Sequence, residues 1–303
     1  GGYSDRALVT RRQFRLAVAA TVEYTAFHGG TQALGQAAIV TAVNRVNQIY
    51  ERDLATRFVL VANNQNLVYV GTDSYGNNGS TADLTANQTN CDSVIGSANY
   101  DVGHLFETGN GGVVGQIGAL CSATQKGRGL SGLPSPVNDP FVIDYVAHEL
   151  GHQCGGRHCF NNCAGGPGDS QTYAFEPGSG VTIMSYAGIC GSTNLQAHSD
   201  AMFHSGSLDL MTSHINGRTC DTETATTNNT PTVNAGPNYV IPKQTPFTLT
   251  ATASDIDGDT ITYSWEERDT GSASVGVNVD NGTAPIQRTW LPSTSPSRTI
   301  PRI

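Results

Sequence analysis

The chain reads His-Glu-Leu-Gly-His-Gln-Cys-Gly-Gly-Arg-His over residues 148–158. Side chains four residues apart on a helix share a face, so His148 and His152 can direct their imidazoles at one metal ion, with Glu149 beside it. Such a pair also occurs by chance in long helices. The residues that follow the pair therefore decide whether it is a metal site.

Gly155 and His158 extend the pattern in the way that a metal site requires. Glycine adopts left-handed backbone angles at no steric cost, so Gly155 can end the helix and let the chain bring His158 to the same ion. Three protein ligands leave a fourth position open for water, as in catalytic zinc sites. Zinc lowers the pKa of such a water toward about 7, and Glu149 is suited to act as the general base.

Residues 140–153 are predicted to form the helix that carries the motif. Asp139 offers an N-cap carboxylate, Pro140 suits the first helical position, and apolar residues recur after it at helical spacing. We expect Phe141 and Leu150 to face the core while the histidines face a cleft.

The extended motif resembles that of the metzincin zinc endopeptidases. Residues 182–188, Thr-Ile-Met-Ser-Tyr-Ala-Gly, are similar to the Met-turn of that clan, and Met184 matches the methionine that forms an apolar floor beneath the zinc. Residues 101–109 and 115–121 look like the reprolysin-like (adamalysin-like) branch, particularly its bacterial secreted members. The resemblance covers residues 12–220, and it implies an α/β fold with a twisted mixed sheet and an active-site helix.

Two residues depart from the adamalysin pattern. Cys159 follows the third histidine, where many adamalysins carry aspartate, and Tyr186 lies two residues after the methionine, as in astacins and serralysins. The second resemblance implies that Tyr186 approaches the zinc or hydrogen-bonds the tetrahedral intermediate. A tyrosine that only packs near the Met-turn would give the same pattern.

The resemblance also implies where a peptide binds. Residues 112–119 are glycine-rich and correspond to an antiparallel edge strand at the upper rim of the cleft, to which a substrate adds as an extra strand. We expect substrate contacts from this rim and from the chain after the Met-turn: Gly112, Val113, Val114, Gly115, Ala187 and Gly188.

The composition favours an exported enzyme. The net charge is −9 and only 14% of the residues are charged, without a basic stripe, which argues against nucleic acid as a partner. The apolar runs are too short to span a bilayer. The chain starts without methionine or signal peptide, so we expect a mature, extracellular, monomeric protein that acts on protein or peptide substrates.

Seven cysteines predict disulfides in an oxidising compartment, and the odd number leaves at least one thiol unpaired. The resemblance implies a bridge between Cys121 and Cys220, and Cys91 is the candidate for the free thiol. Two further bridges are expected near the zinc motif and the Met-turn among four cysteines: Cys154, Cys159, Cys163 and Cys190. A role of these four as metal ligands is disfavoured because their spacing matches no zinc-finger pattern.

Strand and helix patterns alternate along residues 1–220, the predicted catalytic domain. This alternation predicts a mostly parallel sheet with the active-site helix packed against it. The predicted strands are 13–25, 56–62, 102–107 and 112–120, and the predicted helices besides the active-site helix are 32–52, 85–95 and 207–215.

Residues 221–232, rich in threonine and asparagine, are interpreted as a linker. Residues 233–303 are predicted to be all-β, with alternation at 247–253 and 260–266, and resemble the PKD-like or cadherin-like modules of bacterial exoenzymes. Trp265 fits the buried tryptophan of such an Ig-like sandwich. At this length, the module is either truncated or continues in a longer chain.

Asp255, Asp257 and Asp259 surround a glycine within the predicted module. Alternating carboxylates can converge on one hard cation, for which Ca²⁺ is the usual choice. A solvated acidic hairpin loop explains the same residues, so both interpretations stay open. The other histidines have no partner at ligand spacing and are expected in core or surface roles: His28, His104, His198, His204 and His214.

These patterns together predict a secreted zinc endopeptidase. One alternative is a catalytically weak adhesin or matrix-binding protein on a metzincin scaffold, but the presence of Glu149 argues against it. The other is an HExxH hydrolase, such as a zinc aminopeptidase, whose third ligand is a distant glutamate. His158 and Met184 argue against that class.

Overall fold

A six-stranded mixed sheet forms the centre of the molecule. The computed structural model describes residues 10–242, 244–274, 276–277 and 279–301, so the first nine residues of the predicted catalytic domain and the last two of the predicted module lie outside it. The strands are β1 Thr10–Ala20, β2 Thr56–Leu60, β3 Val102–Glu107, β4 Gly111–Val114, β5 Gly129–Gly132 and β6 Thr222–Ala225.

The sheet order is β2-β1-β3-β5-β4, and β6 pairs antiparallel with the first residues of β1. β1 pairs in parallel with β2 and β3, β3 pairs in parallel with β5, and β4 closes the edge antiparallel to β5. Leu16 and Ala17, which point to opposite faces of β1, are both buried, as expected for a parallel strand covered on both sides. The predicted mixed α/β sheet with an antiparallel edge is confirmed.

Two strand boundaries differ from the prediction. β1 ends at Ala20 because the side chain of Thr21 accepts a hydrogen bond from the amide of Tyr24 and caps helix α1, Val22–Phe27. β4 ends at Val114 rather than near residue 120. The chain beyond it hydrogen-bonds to the active-site helix instead, from the Gly118 amide to the His152 carbonyl (2.8 Å). β5 was not predicted, since its sequence Gly-Leu-Ser-Gly shows no apolar alternation.

Helix α2, Gln32–Leu54, confirms the predicted helix at 32–52. Its residues Ile39, Val43, Val46 and Ile49 are buried at the spacing that the sequence predicts. Helix α3, Thr81–Cys91, begins four residues before the predicted start, with Ser80 at the N-cap position, and a π-helical segment, Asp92–Gly96, follows.

The active-site helix is continuous but not uniform. It consists of α4, Asn138–Phe141, a π-helical segment, Val142–Ala147, and α5, His148–Gln153. The helix thus begins at Asn138, and the expected N-cap Asp139 lies inside it. The π-helical turns have no sequence signal in the apolar spacing. Phe141 and Leu150 are buried, as predicted.

Two disulfides are present among the described residues. Cys121–Cys220 is confirmed, and Cys163–Cys190 is the only bridge near the Met-turn. The prediction of two bridges there is wrong, because Cys154 lies in the main hydrophobic core and the Cys159 thiol contacts a buried carboxylate instead. Cys91 is a buried free thiol, as are Cys154 and Cys159.

Helix α6, Ser205–Asn216, contains the predicted helix at 207–215. The predicted linker at 221–232 is wrong for residues 222–225, because β6 pairs with β1 and completes the sheet. No helix in the described part of the chain is long and apolar enough to cross a membrane.

The region after the sheet contains two two-stranded sheets, formed by β7 Thr232–Asn234 with β9 Thr252–Ser254, and by β8 Phe247–Thr250 with β10 Ser297–Ile300. The predicted strand at 260–266 is absent from the described residues, apart from an isolated bridge between Tyr263 and Ser293. Trp265 is half-buried rather than buried, and its Nε1 donates a hydrogen bond to the Pro296 carbonyl (3.2 Å).

Residues 266–274, which we term the docking segment, make polar contacts with Asn161 and with helix α6. The Asn161 side chain donates from Nδ2 to the Gly271 carbonyl (3.2 Å) and accepts at Oδ1 from the Ser274 amide (3.0 Å). Two further contacts involve α6: the Ser205 amide donates to Glu266 Oε2 (2.6 Å), and Arg268 pairs with Asp209 (2.8 Å).

Candidate metal centre and cleft

Three histidines converge at the C-terminal end of the active-site helix. His148 and His152 lie on α5, and Gly155, with φ of +93°, turns the chain so that His158 joins them. One ring nitrogen of each lies within 4.8 Å of the others, and the Nε2 atoms of His152 and His158 are 3.0 Å apart. His148 Nε2 is buried without a hydrogen-bond partner. An orphaned lone pair beside two others is the donor set that a cation satisfies.

The opposite nitrogen of each ring is held by an oxygen. His148 Nδ1 lies 2.6 Å from the Ile183 carbonyl, and His152 Nδ1 lies 2.9 Å from the Gly156 carbonyl. A proton placed on Nδ1 leaves Nε2 free as a lone-pair donor. Burial lowers the pKa of His148 well below 6.5 and that of His152 to about 4. The residues therefore fit zinc, which binds neutral imidazole.

Asp169 holds the third histidine and has no sequence signal. Its Oδ1 lies 3.1 Å from His158 Nδ1, and its Oδ2 accepts the His158 amide (2.8 Å). Burial acts to raise the pKa of Asp169, but the hydrogen bonds and charge of His158 outweigh it and lower the pKa to about 2. Asp169 lies eleven residues after His158, and the spacing between them does not mark it as a partner of this histidine.

Glu149 lies next to the histidines, beneath the edge strand. Its side chain is buried, and burial raises its pKa to about 8; a nearby cation acts in the opposite direction. Gly112 of β4 passes so close that a Cβ there would lie 2.7 Å from Glu149 Cγ and 2.8 Å from Cδ. Only glycine lets the strand approach this carboxylate.

Met184 and Tyr186 lie on the other side of the histidines. Met184 is fully buried against Gly151, where a Cβ would overlap its sulfur. The Tyr186 ring lies 4.6 Å from the His158 ring and 5.6 Å from the His148 ring. Burial raises the pKa of Tyr186 to about 12, so its hydroxyl keeps its proton at neutral pH.

A cavity of about 520 Å³ opens beside Glu149 and His148. Of the expected substrate contacts, Gly112, Ala187 and Gly188 line it, whereas Val113, Val114 and Gly115 are not among its lining residues. Other residues that line the cavity were not predicted. They include Leu133, Tyr145, Ile189 and a pair formed by Asp144 and His198. In this pair the Asp144 carboxylate lies 2.7 Å from His198 Nδ1.

Other histidines have structural partners. His104 is buried between Gln153 (2.9 Å) and Ser131 (3.0 Å), and His204 caps α6 by accepting the Gly206 amide (3.0 Å).

The carboxylates of Asp255, Asp257 and Asp259 also lie within 4.8 Å of one another. That this cluster binds calcium stays a prediction.

Residues 10–228 match the family described as Metallo-peptidase family M12B Reprolysin-like. No curated protein matches the sequence significantly. A chain in the solved structure titled "Structure of a chaperone-substrate complex" aligns with 67% of this protein at 13% identity and a TM-score of 0.42. This protein spans only 34% of that chain, and a similarity of this size carries no argument about fold or function.

Proposed function

The chain belongs to the reprolysin-like M12B metallopeptidase family, and from this premise we propose that it is a secreted zinc endopeptidase with Glu149 as general base. Family membership implies zinc-dependent peptide hydrolysis. One observation supports the finer assignment: the three imidazoles converge beside a buried carboxylate, in a cleft whose rim is an antiparallel edge strand.

His148, His152 and His158 would hold the zinc, which when bound supplies a Lewis acid and a water of lowered pKa. The edge strand β4 offers backbone groups to which an extended peptide can add in register. We expect a peptide bound in this way to pass the histidines with its scissile carbonyl toward them, and Gly112 leaves room for Glu149 beside it. Glu149 then accepts a proton from water and returns it to the leaving amine.

Tyr186 is proposed to donate a hydrogen bond to the developing oxyanion. The proposal is supported by the place of its ring beside two of the histidine rings. Hydrogen-bond donors aimed at developing charge stabilise such transition states.

We further propose an extracellular location, a monomeric state and an appended β-module over residues 233–303. Two disulfides support an oxidising compartment. The two strand pairs support a separate β region.

The test is cleavage of a mixture of unstructured peptides by the zinc-loaded protein and by Glu149→Gln. We expect the variant to retain zinc and fold while its kcat falls by at least roughly two orders of magnitude. Turnover within a few-fold of wild type would contradict the role of Glu149. A wild-type protein that binds zinc but cleaves no peptide would contradict the proposed function.

A further inference from the structure

Glu176 carries a buried carboxylate that the mechanism above does not use. Its side chain is fully buried, and its oxygens accept hydrogen bonds from a loop that folds around it. Oε2 accepts from Thr182 Oγ1 (2.6 Å) and Ser185 Oγ (2.7 Å), and Oε1 accepts from the Val181 amide (3.1 Å). The Cys159 thiol also donates to Oε2 (3.2 Å). One carboxylate therefore ties residues 181–185 to the residue that follows His158.

One carbonyl of that loop holds the ring of His148, and a second holds the backbone next to His158. The Ile183 carbonyl lies 2.6 Å from His148 Nδ1. The Met184 carbonyl accepts the amide of Cys159 (3.0 Å), the neighbour of His158. Both carbonyls lie between Thr182 and Ser185, the two side chains that Glu176 fixes. The orientation of the His148 imidazole, and the position of the backbone that carries His158, thus depend on how the loop is held.

We propose that Glu176 is a positioning residue of the metal centre: by fixing the loop that contains Met184, it orients the His148 ring and places the backbone beside His158, whose ring Asp169 orients. The proposal rests on the proposed zinc site.

A carboxylate suits this task because both of its oxygens accept hydrogen bonds, with about four lone-pair directions between them. Glutamine at the same position would turn an NH₂ group toward donors that it cannot satisfy.

Gly180 shows how closely the loop follows the carboxylate. Its φ is +64°, and a Cβ there would lie 3.0 Å from Glu176 Oε2 and would overlap the Ser185 hydroxyl. Glycine at residue 180 therefore leaves room for the Ser185 hydroxyl that bonds the carboxylate.

The experiment compares zinc affinity in wild type and Glu176→Gln by competition with a chelator. Orienting contacts of metal ligands affect affinity by 10- to 100-fold, so we expect a loss of roughly that size. The visible spectrum of the Co²⁺-substituted protein should shift as the ligand geometry changes. In the metal-free protein, the Cys159 amide should exchange with solvent faster, because its bond to Met184 loosens.

Asn47→Ala is the matched control for lost stability alone. Asn47 is buried, and its side chain bonds both the amide and the carbonyl of Phe58 (2.8 Å each), away from the histidines. We expect it to lower the thermal midpoint while zinc affinity and the Co²⁺ spectrum stay at their wild-type values.

Thr182→Val covers the case in which Glu176→Gln does not fold. It removes the shortest hydrogen bond to the carboxylate at constant shape, and it should weaken zinc binding in the same direction but less. Wild-type zinc affinity in either folded variant, together with a lowered midpoint like that of Asn47→Ala, would overturn the proposal. If the wild-type protein bound no zinc, the proposed function would be overturned instead. The exchange of the Cys159 amide is measured in metal-free protein, so it still tests whether Glu176 holds the loop.

Discussion

Gly155→Ala should disturb the fold and the metal centre together. Gly155 has φ of +93°, a backbone conformation that side-chain-bearing residues rarely adopt. A Cβ there would also lie 2.6 Å from His214 Cβ and 2.9 Å from Cγ. The obstacle is the base of a side chain on α6, which cannot rotate away.

Backbone strain and steric overlap together determine how much Gly155→Ala lowers the free energy of unfolding. Holding alanine in the strained conformation costs about 1–3 kcal/mol, and forcing a methyl group into a packed contact costs about another 1–3 kcal/mol. Gly165→Ala measures the backbone strain alone, because Gly165 has φ of +100° but no atom within 4 Å of its Cβ position. We expect a loss in the free energy of unfolding of about 2–6 kcal/mol for Gly155→Ala and about 1–3 kcal/mol for Gly165→Ala.

The assay is denaturant unfolding of both variants in metal-free form, followed by zinc titration of the folded protein. Because the Gly155 turn brings His158 to the other histidines, only Gly155→Ala should also weaken zinc binding. Equal destabilisation by the two variants, with equal zinc affinity, would refute the argument that packing against His214 fixes this turn.

Two further predictions follow from buried carboxylates. Burial raises the pKa of Glu107 from 4.5 to about 7, so this group favours folding when protonated, and its contribution is complete below pH 4.5 and lost as the pH rises through 7. Glu107→Gln should remove up to about 3 kcal/mol of this pH dependence, measured by urea unfolding of metal-free protein between pH 4.5 and 8; an unchanged pH slope would contradict it. Gly112→Ala should lower kcat by roughly tenfold or more, because its Cβ displaces the Glu149 carboxylate. Zinc content should stay constant, and an unchanged kcat would show that the carboxylate can shift without cost.

The sequence predicts those features that depend on local spacing. The four-residue interval fixes His148 and His152 on one face, and Gly155 marks the turn to His158 because a positive φ requires glycine. The helix at 32–52 is predictable for the same reason, since its apolar residues recur at one period. The bridge between Cys121 and Cys220 follows from the resemblance alone.

Features that depend on contacts between distant segments could not be predicted. Asp169 and Glu176 act on the histidines through loops whose path no periodicity encodes. The pairing of β6 with β1 joins residues about two hundred positions apart, and a threonine-rich segment gives no sign of it. Cys154 and Cys159 stay unpaired because packing, not count, decides which thiols meet.

The contacts of the docking segment restrict how the region after the sheet can be exchanged in evolution. Asn161, three residues after His158, shares hydrogen bonds with Gly271 and Ser274. Appended regions joined by a free tether can be exchanged by recombination without effect on catalysis. Here a replacement would have to supply matching partners for Asn161, so we expect the segment with the three histidines and the region after the sheet to be inherited together.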